Sequence, residues 1–415
     1  RPPRSTLFPY TSLFRSVAAR RTPIGKAPKG VFRHQRPDDM LGHAIRAVMA
    51  DVPSLDPTAI EDAIIGCAIP EAEQGLNLAR MAVLLAGLPD TVGGVTVNRF
   101  CASGLTALAM AADRVRVGQA EVMLAGGAES MSMVPMMGKS PSINPSVFDG
   151  DENIGIAYGM GITAENVAKQ WEISREAQDQ FALASHQKAL AAQEAGEFND
   201  EIIPVEITNR SADLATGEVE INTKTVSQDE GPRADTSLER LAKLRGAFAS
   251  PRSATGQATG MGSVTAGNSS QTSDGAGALL VCSEAALKRF ELTPLARFVS
   301  FSVRGVPPAI MGIGPKEAIP AALKTAGLTL DQMQWIELNE AFAAQSLAVM
   351  KDLDINPDVV NPLGGAIALG HPLGATGAVR AATLVHGLRR RKQQYGMVTM
   401  CVGTGMGAAG IFERL

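Results

Sequence analysis

The feature that most constrains the fold of this 415-residue chain is a weak internal duplication. Residues 41–71 read as a helix, a turn that contains Leu55-Asp56, and an apolar strand, and residues 316–343 repeat these elements in the same order. The second Leu-Asp pair, Leu330-Asp331, follows the first at an offset of 275 positions. Self-similarity at a fixed offset is typical of a repeated architecture, so we expect two related halves.

A second pair of segments repeats at nearly the same offset. Cys101 and His371 lie 270 positions apart, and each is followed three residues later by a glycine, Gly104 or Gly374. A helical apolar period and then a short apolar strand follow in both places. Alternating strands and helices predict an α/β fold, built from two duplicated α/β halves whose sheets are covered by helices.

The offset exceeds the length of one half, so the first half must carry an insertion. The insertion contains a long polar helical tract for which Ser174 is a suitable N-cap. It could be a binding lid or an oligomerisation arm, and the sequence does not decide between these. The expected parts are a non-native leader at 1–16, a first half at 17–131 together with 273–293, the insertion at 132–272, and a second half at 294–415.

Composition and charge exclude several classes of function. The net charge is −4 and the pI is near 5.9, so the chain lacks the excess of positive charge that is typical of nucleic-acid-binding proteins. The basic run at 389–392 follows a predicted helix, where the helix dipole favours Lys and Arg. No apolar run reaches the ~18–20 residues that span a bilayer. Four cysteines without paired spacing predict a reducing, cytoplasmic setting, with no disulfide framework and no metal site.

Two of the four cysteines are candidates for chemistry. Cys101 lies where a short apolar run meets a predicted helix, and a helix N-terminus lowers the pKa of a cysteine and favours the nucleophilic thiolate. Position alone leaves two interpretations open, a nucleophile or a small buried residue. Cys401 ends a predicted strand before a Gly-rich turn, where α/β sheets place chemistry. Cys67 and Cys282 lie inside apolar runs and indicate core packing.

His371 is the histidine whose surroundings favour a catalytic role. It follows a Gly-rich loop that allows close backbone approach, and its place in the duplication could set a base beside Cys101. The other four histidines lie in polar or helical surroundings. The segment "GMGAAG" at 405–410 matches a dinucleotide fingerprint, but only five residues follow it, too few for the helix, strand and acid that nucleotide binding needs.

Four segments in this order, "VNRFCASG", "NEAFA", "GHPLGATG" and "CVGTGMG", resemble the signature blocks of the thiolases (acetyl-CoA C-acyltransferases). "RTPIGK", "AGGAESMS", "MGITAENVA" and "TAGNSSQTSDGAGA" extend the resemblance from about residue 17 to residue 415. "GVPPAIMGIGP" and "RLAKLRGAF" are similar to the degradative 3-ketoacyl-CoA thiolases in particular. The resemblance implies a layered α-β-α-β-α core with an inserted loop domain that binds CoA.

The resemblance also implies roles for individual residues. Cys101 matches the nucleophile that accepts the acyl group, His371 the histidine that activates it, and Cys401 a second cysteine that acts as acid and base. Asn339 matches the asparagine that holds a water in one oxyanion hole with His371, and the backbone N–H groups of Cys101 and Gly403 match a second hole. The implied CoA contacts are Ser270 and Met160 at the pantetheine arm, Phe342 beside its tunnel, and Arg233 near the nucleotide.

The implied activity is reversible transfer of an acyl group from 3-ketoacyl-CoA to CoA through an acyl-cysteine, as in fatty-acid β-oxidation. CoA is then a co-substrate, and no permanently bound cofactor is expected. Two alternatives stay open, an acetoacetyl-CoA thiolase and a catalytically silent subunit that binds acyl-CoA. Cys401 argues against a condensing enzyme of the ketoacyl-synthase type. A homodimer or homotetramer is expected, and a partner subunit of a β-oxidation complex is left open.

Overall fold

The strands of the two halves are arranged in the same order, as the duplication predicts. The computed structural model describes residues 15–150, 153–248 and 262–415. Its strands are β1 (Arg15–Arg21), β2 (Gly25–Lys26), β3 (Asp62–Gly66), β4 (Val95–Val97), β5 (Val122–Ser130), β6 (Val205–Ala212), β7 (Val219–Val226), β8 (Ser273–Cys282), β9 (Ala296–Gly305), β10 (Trp335–Leu338), β11 (Tyr395–Val402) and β12 (Met406–Arg414). Its helices are α1 (Pro37–Ala50), α2 (Leu78–Leu85), α3 (Ser103–Arg116), α4 (Met160–Gln170), α5 (Arg175–Glu194), α6 (Leu238–Ala242), α7 (Glu284–Arg289), α8 (Gly314–Ala326), α9 (Ala343–Leu353), α10 (Ala366–Leu369) and α11 (Thr376–Arg390).

The sheet order repeats between the halves. Neighbouring strands run β1-β8-β5-β3 in the first half and β9-β12-β11-β10 in the second. β8 in the first half and β12 in the second are each antiparallel to both of their neighbours. The pairs β5–β3 and β11–β10 are parallel. β4 extends the first half beyond β3, and β2 pairs with β8. The two halves meet where Ser16 of β1 pairs with Ala296 of β9. The prediction of a duplicated α/β fold is confirmed.

The apolar core divides the molecule into five layers. The middle layer is α3 and α11, whose buried side chains share one cluster with the inward faces of both sets of strands. α1 and α2 cover the outer face of the first set, and α8 and α9 cover the outer face of the second. This is the expected α-β-α-β-α order. Because the middle layer is enclosed on both sides, residues at the start of its helices lie deep in the protein.

The two middle helices cross closely near their N-termini, and glycines make the crossing possible. A Cβ at Gly377 would lie 2.2 Å from the backbone nitrogen of Leu105, and one at Gly104 would lie 2.9 Å from that of Ala378. Contacts this short with backbone atoms exclude every side chain, so glycine is required at both positions. The crossing brings together the two turns that precede α3 and α11, which carry Cys101 and His371.

The insertion begins after β5 and ends before β8, and it carries α4, α5, α6 and the separate β6–β7 ribbon. The predicted N-cap of α5 is confirmed, since Ser174 Oγ accepts a hydrogen bond of 3.1 Å from the N–H of Ala177. The insertion is anchored to the second half, where Ser185 Oγ of α5 donates to the Glu340 carboxylate over 2.7 Å.

The ends of two further segments bear on the sequence predictions. Residues 1–14 of the expected leader lie outside the described residues, whereas Arg15 and Ser16 belong to β1 and pair with Cys282 and Val281. The basic run at 389–392 begins in the last turn of α11, as predicted. No helix in the described ranges is long and apolar enough to cross a membrane.

Candidate active site

Cys101 is presented by a tight turn between β4 and α3. The turn is a single 3₁₀ segment, Phe100–Ala102, in which Phe100 has a φ of 44°. Ser103 holds the turn closed, because its Oγ donates to the carbonyl of Phe100 over 2.7 Å and accepts from the N–H of Arg99 over 2.8 Å. The thiol is buried, with 9% of the residue exposed.

Burial dominates the electrostatics of this thiol. It raises the pKa of Cys101 to about 12 and outweighs the backbone N–H groups of Gly403 and Cys101, which hydrogen-bond to the sulfur and lower the pKa. The lowering that we expected from the start of the helix is thus present in these N–H groups, but in the free protein burial outweighs it and the net pKa of Cys101 is raised. Moving the thiolate out of water costs more free energy than it regains from hydrogen bonds with two N–H groups at the start of a helix.

His371 is held as a neutral ring of defined tautomer. Its Nδ1 lies 2.6 Å from Thr376 Oγ1, and its Nε2 lies 3.3 Å from the side-chain nitrogen of Asn339. An amide nitrogen only donates, so Nε2 accepts, and Nδ1 carries the proton and donates it to Thr376. Burial, together with the charge of Arg380, lowers the pKa of His371 to about 3. The basic nitrogen of the ring is therefore Nε2.

The loop that carries His371 is held in place by the residues that lead from the insertion into β8. The backbone N–H of His371 lies 3.1 Å from Ser273 Oγ and 3.2 Å from the carbonyl of Gln271. Gly370 has a φ of 99°, and a Cβ there would lie 2.4 Å from the Ser273 hydroxyl. The close backbone approach that this Gly-rich loop allows therefore serves its contact with Ser273 at the start of β8.

Asn339 carries an unused hydrogen-bonding atom at the centre of the site. It follows β10, and its N–H donates to the carbonyl of Thr399 over 2.9 Å. Its side-chain oxygen is buried and makes no hydrogen bond within the described part of the chain. Buried polar atoms nearly always have a partner, so this oxygen marks a position for a water or a substrate group.

Cys401 lies next to the Cys101 thiol. It is the next-to-last residue of β11 and is fully buried. Burial raises the pKa of Cys401, and a negative charge on Cys101 raises it further. The turn after β11 passes Gly403, where a Cβ would lie 3.7 Å from the Phe100 ring and 3.9 Å from Met160 Sδ. The two thiols and the Gly403 N–H therefore share one small enclosed region.

An apolar wall extends from Cys401 toward the insertion. Met160 and Phe342 belong to the same cluster as Cys401, and Phe248 packs edge-to-face on Phe342 at 6.4 Å. Ser270 borders this wall, since its N–H donates to the carbonyl of Ala341 over 2.9 Å. Three of the predicted CoA contacts, Met160, Phe342 and Ser270, are thus brought together beside the thiols.

Arg233 lies apart from this group. Its N–H donates to Nδ1 of His186 over 3.2 Å, and its exposed side chain lies 3.4 Å from Asp235. Burial and the charge of Arg233 lower the pKa of His186 to about 4, which keeps this ring neutral. These contacts join Arg233 to α5 and to its own loop rather than to Met160, Phe342 or Ser270.

Sequence reasoning missed several polar residues that shape the site. Thr376 stands in the first turn of α11, where a threonine resembles an ordinary helix start. Glu340 follows Asn339, and its carboxylate accepts from Asn361 Nδ2 over 2.8 Å and from the N–H of Ile367 over 3.2 Å. Glu129 is the next-to-last residue of the apolar strand β5, and an acid in that position was a signal that could have been used.

This arrangement suits nucleophilic acyl transfer. A buried thiol has two backbone N–H groups directed at it, a second thiol beside it, and a neutral imidazole and an amide from two loops of the second half. Within the described ranges, no group of three or more His, Cys, Asp or Glu residues could hold a metal ion. The groups that the site does bring together, two thiols, an imidazole and fixed N–H donors, are those that nucleophilic acyl transfer uses.

Comparisons with known proteins agree with this geometry. The family model for the thiolase N-terminal domain matches residues 16–285, and that for the thiolase C-terminal domain matches residues 292–414. The chain is 48% identical to the 3-ketoacyl-CoA thiolase of Bacillus subtilis, over 96% of this chain and 98% of the relative. It is 46% identical to the peroxisomal 3-ketoacyl-CoA thiolase A of Rattus norvegicus, over 99% of this chain and 91% of the relative.

Solved structures agree as well. The human mitochondrial 3-ketoacyl-CoA thiolase superposes with a TM-score of 0.85 at 38% identity, covering 98% of this chain and all of the other. The same human enzyme in complex with CoA gives a TM-score of 0.84 at 38% identity, over 98% of this chain and 99% of the other.

Proposed function

Because the chain belongs to the thiolase family and is an acyltransferase that cleaves 3-ketoacyl-CoA, we propose that it works through an acyl thioester on Cys101. This proposal rests on the groups that surround the Cys101 sulfur. Backbone N–H groups of Cys101 and Gly403 hydrogen-bond to it, and the thiol of Cys401 lies within electrostatic reach.

In the first half-reaction, the sulfur of Cys101 attacks the ketone carbon of 3-ketoacyl-CoA while Nε2 of His371 takes the thiol proton. Proton transfer and attack occur together, since burial disfavours both the free thiolate and the free imidazolium. The carbon–carbon bond next to the ketone then breaks. The acyl group stays on Cys101, and the other fragment leaves as the enolate of acetyl-CoA, which Cys401 protonates.

In the second half-reaction, free CoA gives its thiol proton to Cys401 and attacks the acyl-Cys101 thioester. Collapse of this intermediate releases an acyl-CoA two carbons shorter, and His371 returns its proton to the sulfur of Cys101, which restores both the thiol and the neutral ring. Two cysteines are needed because one is occupied as the thioester while the other moves the proton. The scheme predicts ping-pong kinetics, in which acetyl-CoA leaves before CoA binds.

Negative charge falls on two different oxygens, the ketone oxygen when Cys101 attacks and the oxygen of the departing acetyl-CoA enolate, and we propose a separate set of donors for each. His371 and a water held by Asn339 serve one oxyanion, in keeping with the unpartnered side-chain oxygen of Asn339. The N–H groups of Cys101 and Gly403 serve the other. Removal of one donor from such a site typically costs on the order of 10²–10³ in rate.

We propose that CoA lies along the apolar wall of Met160, Phe342 and Ser270, with Arg233 near its outer, nucleotide end. CoA is then a substrate in both half-reactions, and no resident cofactor takes part. The names of the relatives, together with a degradative 3-ketoacyl-CoA reaction, support a role in fatty-acid β-oxidation. Four free buried cysteines suit a reducing compartment, and we propose the cytoplasm.

We further propose that the chain works as a homodimer. Within the described residues β4 pairs with β3 alone, which leaves one edge of the sheet open. Beside it Leu76 is 93% exposed, and Leu84 and Leu85 are also exposed. An open strand edge with apolar neighbours is a suitable surface for a second copy. Light scattering during size exclusion would measure the mass directly, and a monomer would contradict this part.

Thiolysis over a series of 3-ketoacyl-CoA chain lengths tests the proposal. Wild-type protein should consume 3-ketoacyl-CoA only when CoA is present, and Cys101→Ser should abolish this. Cys401→Ser should still accept an acyl group slowly but should not turn over. Absence of CoA-dependent thiolysis in the wild type, or activity that survives Cys101→Ser, would overturn the proposed mechanism.

A further inference from the structure

Glu129 is a buried carboxylate that the acyl-transfer scheme does not use. It lies near the end of β5, on the face of that strand that meets the two middle helices, and it is fully buried. Its hydrogen-bond partners are five donors. They are the backbone N–H groups of Ala68 (2.7 Å), Gly374 (2.8 Å) and Ile69 (3.3 Å), the side-chain amide of Gln74, and the thiol of Cys67 (3.7 Å).

This set of contacts requires the ionised form of Glu129. A protonated carboxyl would direct its own hydrogen at one of the N–H groups and lose that bond. Burial raises the pKa of Glu129, and the N–H groups of Ala68, Gly374 and Ile69 oppose this. A negative charge without a nearby cation is tolerated in such a position because several N–H groups solvate it in place of water.

The donors come from both halves of the duplication. Ala68 and Ile69 follow β3 in the first half, whereas Gly374 lies in the turn before α11, three residues after His371. A second residue of β5 supports the same contact, since a Cβ at Gly127 would lie 2.4 Å from the carbonyl of Gly374. One carboxylate thus ties the turn that carries His371 to the half that carries Cys101.

We propose that Glu129 is a positioning residue for acyl transfer: it fixes the His371 turn against the first half, and its negative charge adds to burial in holding the proton on Cys101 until His371 accepts it. This inference rests on the proposed role of Cys101 as the nucleophile. A thiol that stays protonated while the site is empty is protected from alkylation and oxidation, which act on thiolates.

Among the titratable and charged groups near this site, Glu129 is the charge that acts on the Cys101 thiol. The others on the elements packed around it are Cys67 just after β3, Cys401 in β11, His371 in the loop before α11, Asp274 in β8 and Arg380 in α11. The first three are neutral, because burial raises the pKa values of both thiols and lowers that of the ring. Asp274 is engaged by Ser130 and Ser132, and Arg380 acts on His371. Of these groups, Glu129 is the one whose charge raises the pKa of Cys101.

The test is the pH dependence of Cys101 alkylation by iodoacetamide in the full chain, followed by mass spectrometry of the Cys101 peptide. Glu129→Gln should move the midpoint down, so that alkylation at any pH below the midpoint becomes faster than in the wild type. Glu129→Asp keeps the charge and should leave the midpoint close to that of the wild type. Glu165→Gln is the matched control, since Glu165 is also a buried acceptor of backbone N–H groups, from Ser263 and Val264.

The positioning role has a second readout. Glu129→Gln and Glu129→Asp should both lower kcat for thiolysis, on the order of tenfold or more, with KM for CoA unchanged. A folded Glu129→Gln protein whose alkylation midpoint equals that of the wild type would overturn the electrostatic role, and an unchanged kcat would overturn the positioning role. If Glu129→Gln does not fold, Glu129→Asp carries the test, and an unchanged kcat in the folded Glu129→Asp protein would overturn the positioning role. Wild-type thiolysis decides the proposed function independently, because alkylation needs no turnover.

Discussion

Replacement of Thr376 by valine isolates the hydrogen bond that sets the tautomer of His371. Valine keeps the branched shape of threonine in the first turn of α11 and removes only the hydroxyl. Both partners of the bond are buried, with Thr376 fully enclosed and His371 5% exposed, and their atoms are 2.6 Å apart. Solvent therefore cannot replace the lost partner of Nδ1.

The expected cost follows from this enclosure. A buried N–H group left without an acceptor costs about 1–3 kcal/mol. The ring can avoid that cost by moving its proton to Nε2, but Nε2 then cannot accept the thiol proton of Cys101. The protein must restore the productive tautomer before each attack, so acylation should slow by about 5- to 150-fold, since about 1.4 kcal/mol corresponds to tenfold.

Single-turnover acylation measures this step directly. Protein in excess over 3-ketoacyl-CoA, quenched in acid, gives the rate at which the acyl group reaches Cys101. Thr376→Ser keeps a hydroxyl and is the matched control, with a rate expected within about threefold of the wild type. KM for CoA should not change in either variant. An acylation rate for Thr376→Val within about twofold of the wild type would refute the reasoning about the tautomer.

Two further predictions concern stability. Gly377→Ala should lower the free energy of unfolding by about 1–3 kcal/mol, because its Cβ would lie 2.2 Å from the backbone nitrogen of Leu105. Urea unfolding measures this change. Gly159→Ala is the control, since a Cβ at Gly159 meets nothing within 4 Å. Burial raises the pKa of Glu337 to about 7 from its ordinary 4.5, although the charge of Arg380 opposes this. Between these two pH values Glu337 is protonated in the folded state and ionised in the unfolded state. The contribution of Glu337 to stability is full below about pH 4.5 and is lost as pH rises through about 7. Glu337→Gln cannot titrate, and calorimetric Tm values from pH 4.5 to 8 should fall less steeply for it than for the wild type; parallel curves would contradict the pKa.

The duplicated fold could be predicted from the sequence because each half repeats its own apolar pattern. The Leu-Asp elements and the glycines after Cys101 and His371 report backbone turns, and turns are local properties of a chain. Family resemblance then supplied the residue set of the site. Cys101, Cys401, Met160 and Phe342 lie together as the resemblance implied, and Asn339 contacts His371.

Properties that depend on several distant segments could not be predicted in the same way. The pKa of Cys101 is raised because the second half covers the turn, whereas the sequence reports only the adjacent helix. Glu129 collects donors from the loop after β3 and from the turn before α11, two segments roughly 300 residues apart in the sequence. Thr376 matters only because the His371 ring folds back over the start of its own helix.

The central claim is that the acyl group is carried by Cys101. The most direct measurement is to incubate the protein with 3-ketoacyl-CoA in the absence of CoA, quench in acid, digest, and locate the added acyl mass. We predict that the acyl mass lies on the peptide that contains Cys101, and that addition of CoA before the quench removes it. Acyl mass on the Cys401 peptide, or acetyl-CoA release with no acyl mass on either peptide, would contradict the account.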